Sequence, residues 1–335
     1  MTVCLSLHEV DALTMRALTA SNTSDANARS VTDSVVASEA DGIHSHGLAR
    51  LPTYCEHARC GKIDGHAEPM VTRAAAGVLR VDARDGFAHP AIDLGLQQFP
   101  ELVRANGVGL MAVTNSYNCG VVGYHVERMA DAGLVALAFV NAPASIAPWG
   151  GTRAVFGTNP IACAMPRPNA PPLVIDQSSS VVAKSEVLVH AQTGEPIPDG
   201  WAFDSKGHPT TDPKRALEGG TMAPSGGYKG AGIALLVEVM AAAVTGATLS
   251  VHASSFADNR GGSPRTGQLF VGIDPAMTSN GAYAERIVDL ADTILAQSGA
   301  RLPGNRRYEA RARTAEQGVT IRNALHDKLL GYCSS

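Results

Sequence analysis

A chain of 335 residues is longer than one ordinary core, so two or three packed units are expected, and 45% apolar against 17% charged residues disfavours disorder. Lys+Arg 27 against Asp+Glu 31, a net charge of -4, leaves no basic face for phosphate-driven nucleic-acid binding. The start MTVCLSLHEVDAL has neither the cationic nor the apolar region of a secretory signal, and no run of ~18 apolar residues exists to span a membrane.

Residues 7–20 and 24–41 show helical spacing, with Ala28, Val31 and Val35 on one stripe of the second. The loop Gly42-Ile-His-Ser-His-Gly47 follows, then a helix over 51–58 with Pro52 in its first turn. Residues 78–82 read as a strand closed by the Asp85-Gly86 turn, 90–104 as a helix and 108–114 as a strand. A helix at 123–132 precedes a strand at 134–140. Beyond a Pro/Gly-rich stretch over 147–160, strands are expected at 161–165 and 173–176, the second running into Asp176-Gln-Ser-Ser-Ser180. Residues 193–222 are rich in turn formers. Residues 231–245 are apolar nearly all round, which predicts a buried helix. A strand at 267–273, a helix at 280–298 and a final helix over 315–331 complete the chain, with no internal repeat. G-x-G-x-x-G after a strand and G-x-x-x-x-G-K-[ST] are both absent, so any nucleotide is held by another device.

The densest polar constellation is His44-Ser45-His46-Gly47 with Arg50 and Tyr54 just beyond. Histidine suits proton transfer near neutrality, a neighbouring hydroxyl can orient it, and an arginine four residues on can grip a carboxylate with two N–H groups. A solvated loop with a capping serine fits the same spacing. Pro224-Ser-Gly-Gly-Tyr-Lys-Gly-Ala-Gly232 opens into the apolar helix, and glycines with Lys229 at a helix entry suit an anion or a plain turn. Arg301-Leu-Pro-Gly-Asn-Arg-Arg307 puts three arginines around a turn, which suits a phosphate or simply water. Cys55 and Cys60, with His44, His46 and His57 nearby, raise a zinc site, but the spacing departs from zinc-binding patterns and no metal is expected. The six scattered cysteines read as reduced thiols, which points to a cytoplasmic protein.

Taken together, HSHGLARLPTY, APWGG followed by FGTNPIA, LVIDQSSS, PIPDGWAFDSKGHPTTDP, GGYKGAG and RLPGNRR resemble the malate/L-lactate dehydrogenase family of the second, non-Rossmann type, in family order from about residue 40 to 310. The resemblance is nearest to its Δ1-piperideine-2-carboxylate and Δ1-pyrroline-2-carboxylate reductases. It implies an α/β protein. A largely antiparallel, mixed sheet over 71–279 would hold nucleotide and substrate, and residues 1–70 with 280–335 would form a helical domain from both chain ends. It also implies a homodimer.

By the same resemblance, His46 is the proton donor, Ser45 its neighbour, and Glu186 an acid that supports the pair. Arg50, Tyr54, Thr158, Lys184 and Ser185 would take a small carboxylate substrate. NADPH, or NADH, would meet Asn118, Cys119, Gly120, Val121 and Val122, then Asp176, Gln177 and Ser178, then Tyr228 and Lys229. The turn Arg301, Leu302, Pro303, Gly304, Asn305 and Arg306 would reach it from the far end of the chain. Two positions depart from the family: Asn118 and Tyr228 stand where histidine is common. The implied reaction is reduction of a cyclic 2-imino acid, with a 2-hydroxy acid dehydrogenase as the alternative and a non-catalytic binding protein as a third reading.

Overall fold

The computed structural model describes residues 1–334. Seven strands form the main sheet, in the spatial order Met70–Ala75, Val78–Asp82, Val108–Ser116, Thr266–Ile273, Val135–Val140, Ile161–Arg167 and Ala170–Gln177. All neighbours are antiparallel except Val78–Asp82 beside Val108–Ser116. A sheet built mainly from antiparallel neighbours has no run of βαβ crossovers, which is why the glycine fingerprint of such crossovers is missing.

One face of the sheet buries Val81, Met111, Val113, Ala136, Ala138 and Phe270 against Ala88–Leu96, Phe99–Asn106 and Val122–Asp131. Gly109 and Gly272 lie opposite each other in register. A Cβ on Gly109 would come within 2.6 Å of Leu102, and one on Gly272 within 2.8 Å of Val103, so the paired glycines let the helix Phe99–Asn106 seat on the strands. The other face carries Tyr228–Glu238 and the π-turn Val239–Ala243, where Val237 and Ala241 meet Ala112, Phe139 and Leu269.

A second core joins the two chain ends. Thr2–Leu5 pairs antiparallel with Val319–Arg322, and Leu5, Val10, Leu13, Val31, Leu51, Ile321 and Leu329 pack in one cluster. Ser6 starts the helix Leu7–Thr19 with a reciprocal cap to Glu9, and the Ser24 side chain accepts the Asn27 N–H at the start of Asp25–Ala40. Tyr283–Leu295 packs elsewhere, with Ile287 and Ala291 against Leu173 and Leu302.

Three expected elements are corrected. The helix at 90–104 is two helices, broken before Pro100 enters the first turn of the second. The final helix is interrupted: Asn305–Gln317 stops at Gly318 in the left-handed region (φ 74), and Val319–Arg322 turns into a strand before Asn323–Cys333. The helix expected to be buried over 231–245 is buried on one side only. Ile233, Leu235, Leu236, Val239 and Val244 stand exposed. Among the described residues no helix is long and apolar enough to cross a membrane.

Candidate active site

One carboxylate organises the loop between Asp25–Ala40 and Leu51–Arg59. Glu39 is buried, and its Oε1 accepts the Leu48 N–H at 2.6 Å while Oε2 faces His44 Nδ1. Gly47 lies against the same group. A Cβ there would sit 2.1 Å from Glu39 Oε1, so only glycine passes. Between these two fixed points the chain makes the short 3-10 turn His44–His46.

His46 Nδ1 lies 3.1 Å from Ser45 Oγ. Burial, with Arg50 adding to it, lowers the imidazole to about 4. The ring is therefore neutral in the free protein near neutral pH. Arg50 is half-buried and has no acid partner among the described residues. Its guanidinium carbon lies 5.9 Å from the Tyr54 ring centre and 5.6 Å from that of Phe256, and its Nε is buried without a partner. A half-buried guanidinium held by ring faces keeps its N–H donors for an incoming anion.

Tyr54 is buried, and its hydroxyl donates to Asn118 Oδ1 at 3.0 Å. The same oxygen accepts the Gly120 N–H at 2.8 Å. Two donors on one oxygen fix the amide, leaving Nδ2 as the free donor. Burial raises the Tyr54 phenol to about 12 against the opposing pull of Arg50, so it stays protonated. Helix Leu51–Arg59 and the 118–120 turn are thus joined at the site.

A second group of expected residues gathers around Thr158. Its carbonyl accepts the Ser178 hydroxyl at 3.0 Å and the Ser179 N–H at 2.8 Å, and Ser178 Oγ lies 2.7 Å from Ser180 Oγ. Lys184 is half-buried, its Nζ meets among the described residues only the neutral Ser145 hydroxyl, at 3.4 Å, and burial lowers its pKa. Ser185 beside it is also half-buried. Glu186 is exposed and makes no hydrogen bond or ion pair with Ser45 or His46. It stands in the first turn of Lys184–Thr193, where the helix dipole favours an acid without any further partner.

The residues expected near the cofactor fall into three places. Cys119, Val121 and Val122 are buried side chains, so only their backbone is available. Asp176 accepts the Gly123 N–H at 2.7 Å, and burial raises its carboxyl. It therefore occupies the start of Val122–Asp131, while Gln177 beside it is exposed. The helix Tyr228–Glu238 starts without a side-chain cap, after Gly226 and Gly227 with φ of 70 and 67. Tyr228 and Lys229 are exposed there, and the Tyr228 ring meets Trp149 edge-on at 6.2 Å. Asn305–Gln317 also starts uncapped, on Gly304 with φ 92, behind Pro303 and the buried Leu302. Arg301 and Arg306 are exposed there, without an ion pair among the described residues. Arg307 turns inward, near Asp41, Glu127 and Asp176.

Glu39 and Phe256 escaped the sequence reading. An acid just ahead of the Asp41-Gly42 turn was a readable hint for Glu39, whereas nothing local marked Phe256. The cysteines and histidines of the zinc reading do not converge. Cys55 Sγ donates to Ala17 O, and His57 Nδ1 pairs with the Tyr117 hydroxyl. No group of three metal-binding side chains occurs among the described residues.

Residues 5–330 match the family model described as malate/L-lactate dehydrogenase. The chain is 44% identical over 331 residues to a (2R)-3-sulfolactate dehydrogenase (NADP(+)) of Chromohalobacter salexigens, covering 99% of this chain and 98% of that one. It is 41% identical over 329 residues to a Δ1-pyrroline-2-carboxylate/Δ1-piperideine-2-carboxylate reductase of Pseudomonas aeruginosa, covering 97% and 98%. Among solved structures it superposes with TM-score 0.93 on a Δ1-piperideine-2-carboxylate reductase of Pseudomonas syringae, at 34% identity and covering 98% and 99% of the two chains.

Proposed function

The chain belongs to the malate/L-lactate dehydrogenase family of oxidoreductases, and from that membership we propose that it reduces a small cyclic 2-imino acid with NADPH, or NADH, to the saturated amino acid. The substrates are Δ1-piperideine-2-carboxylate and Δ1-pyrroline-2-carboxylate. The observation that carries this reading is the Ser45–His46 pair one turn from an arginine that has no acid partner among the described residues. The names of the reductases from Pseudomonas aeruginosa and Pseudomonas syringae support the choice of substrate.

The uncapped starts of Tyr228–Glu238 and Asn305–Gln317, with Lys229, Arg301 and Arg306 exposed beside them, fit the phosphates of a dinucleotide. When bound, the nicotinamide cofactor supplies a hydride. Arg50 holds the substrate carboxylate through its free N–H groups. The His46 ring edge away from Ser45 holds the proton on the imine nitrogen while the C=N electron pair moves onto nitrogen. A carboxylate on Arg50 offsets the positive charge that helps depress His46, so binding raises the imidazole toward the range where it holds a proton. Tyr54 and Thr158 line the pocket, and the Asn118 amide supplies a fixed donor that does not titrate. Glu186 assists only if it is brought to Ser45 on binding.

A second reading rests on Lys184. A half-buried lysine whose one partner is a neutral hydroxyl suits a substrate with a second acid group, and the sulfolactate dehydrogenase relative supports it. His46 would then take the hydroxyl proton of a 2-hydroxy acid. Loss of NADPH absorbance with Δ1-piperideine-2-carboxylate, but not with pyruvate, oxaloacetate or sulfopyruvate, is the expected result. The reverse pattern overturns the imine reading in favour of the second, and full turnover by His46→Ala removes both.

The exposed Ile233, Leu235, Leu236, Val239 and Val244 form an apolar face that a homodimer would cover. Light scattering should give twice the chain mass, and Leu236→Asp should halve it. A single-chain mass for the unaltered protein refutes the dimer. Six free cysteines accord with a reducing cytoplasm.

A further inference from the structure

The segment 253–264, which carries Phe256, lies between the helical stretch ending near Thr245 and the strand Thr266–Ile273 and has no helix or strand of its own. Lys62, just past the helix Leu51–Arg59, holds it. Lys62 is 1% exposed, and its Nζ donates to the carbonyls of Ser255 at 2.5 Å, Asp258 at 2.9 Å and Arg260 at 2.7 Å. An ammonium has three donors, and all three are spent on this one segment. Burying a lysine costs free energy, and Lys62 sits where its charge is disfavoured, so what it fixes in place is informative.

What it fixes is Phe256. The ring lies 5.6 Å from the Arg50 guanidinium carbon and 4.9 Å from the Tyr117 ring centre. Tyr117 is anchored in turn by its hydroxyl, 2.6 Å from His57 Nδ1. Arg50 also lies over Tyr54 from its own helix, at 5.9 Å, and interacts with the Tyr54 and Tyr117 hydroxyls, the second of which belongs to the ring that Phe256 packs against. An acid in place of Phe256 would hold Arg50 more tightly, but it would neutralise the cation and compete with a substrate carboxylate. An aromatic face attracts the cation without consuming its N–H donors. We propose that Lys62 and Phe256 form a strap that positions Arg50, so that Phe256 is a positioning residue for carboxylate binding and Lys62 acts through it. The proposal rests on the reading of Arg50 as the carboxylate receptor.

Steady-state kinetics of the full chain test it, with Δ1-piperideine-2-carboxylate as the probe, or oxaloacetate if the substrate panel selects the oxo acids. Phe256→Leu keeps an apolar side chain but removes the ring face. It should raise the KM for the carboxylate about three- to thirtyfold, with kcat and the KM for NADPH nearly unchanged. Phe256→Tyr should restore the original KM. Lys62→Met should raise the same KM, and the double variant should be no worse than the worse single, because both act through one contact. If Lys62→Met does not fold, the Phe256 pair alone decides. An unchanged KM in Phe256→Leu overturns the strap, as does a loss spread equally over kcat and both KM values. Arg50→Met separates the two layers. A KM rise there without one in Phe256→Leu sinks the strap alone, and no rise in Arg50→Met sinks the carboxylate reading with it.

Discussion

Replace Glu39 by alanine and the loop that carries His46 loses its anchor at two points. The Leu48 N–H, 2.6 Å from Oε1, is buried and would be left without an acceptor. A hydrogen bond to a charged group contributes about 1.5–3 kcal/mol, and orphaning the buried donor keeps the loss at the upper end of that range. The link to His44 adds about 0–1 kcal/mol, since the His44 side chain is 61% exposed. Urea unfolding should therefore show Glu39→Ala less stable by about 2–4 kcal/mol, and Glu39→Gln, which still offers an oxygen to Leu48, should recover most of it. The activity loss should be larger than stability alone explains. A shift of about 1 Å in a reacting group can cost about a hundredfold in rate, so kcat/KM should fall at least tenfold at temperatures where Glu39→Ala remains folded. Gly47→Ala attacks the same contact from the other side. A Cβ at Gly47 would collide with Glu39 Oε1, so Gly47→Ala should show the same defect. The reasoning is refuted if Glu39→Ala keeps kcat/KM within about twofold, or if Glu39→Gln is as damaged as Glu39→Ala.

Burial lowers His46, His57 and His125 to about 4 and His89 to about 3. The unfolded chain takes up these protons near 6.5, so stability is complete above about pH 6.5 and lost as pH falls toward 4. Urea melts at pH 7, 6 and 5 should show a decline that approaches four protons in slope, reduced by one in His89→Gln, and a flat profile would contradict the burial argument. In kinetics, a carboxylate on Arg50 should place the acid group's pKa higher in the kcat profile than in kcat/KM, and coincident values would remove the proposed offset. Tyr54→Phe leaves Asn118 Oδ1 with one donor instead of two and should lower kcat/KM about fivefold, the equivalent of one ordinary hydrogen bond. A result above half of the original would mean that Gly120 alone orients the amide. Arg311→Met leaves the buried carboxylates of Asp41 and Glu127 to Arg307 alone and should destabilise by about 2–4 kcal/mol in a urea melt; no loss would show that Arg307 suffices.

Much of the fold was legible because its strands and helices are local patterns. The stripe Ala28, Val31, Val35 and the run 108–114 describe segments whose periodicity survives in the structure. The errors came where the deciding partner is distant or absent. Val319–Arg322 is a strand because Thr2–Leu5, from the other end of the chain, completes it. Even so, the stop at Gly318 and the β-branched run behind it could have been read. The stretch 231–245 is apolar on all sides, and such a pattern shows only that both faces avoid water. It does not distinguish a helix buried all round from one with an uncovered outer face, and the exposed Leu235, Leu236 and Val239 show that this chain leaves that face uncovered.

The site divides along the same line. Ser45, His46, Arg50 and Tyr54 are close in sequence, so one turn and one helix bring them together. The groups that hold them come from elsewhere: Phe256 lies more than two hundred residues from Arg50, and Asn118 meets Tyr54 across 64 positions. Asn118 shows best what sequence alone misses. There it registers as the loss of a titratable ring. In the fold, its oxygen is bound by the Tyr54 hydroxyl and the Gly120 N–H, and its nitrogen becomes a donor of fixed direction. A histidine in that place would change charge with pH beside the Tyr54 hydroxyl, whereas the amide keeps one polarity throughout. Asn118 thus carries no titrating proton, the Tyr54 phenol is held protonated by its rise to about 12, and the His46 imidazole, lowered to about 4 by burial, is neutral in the free protein.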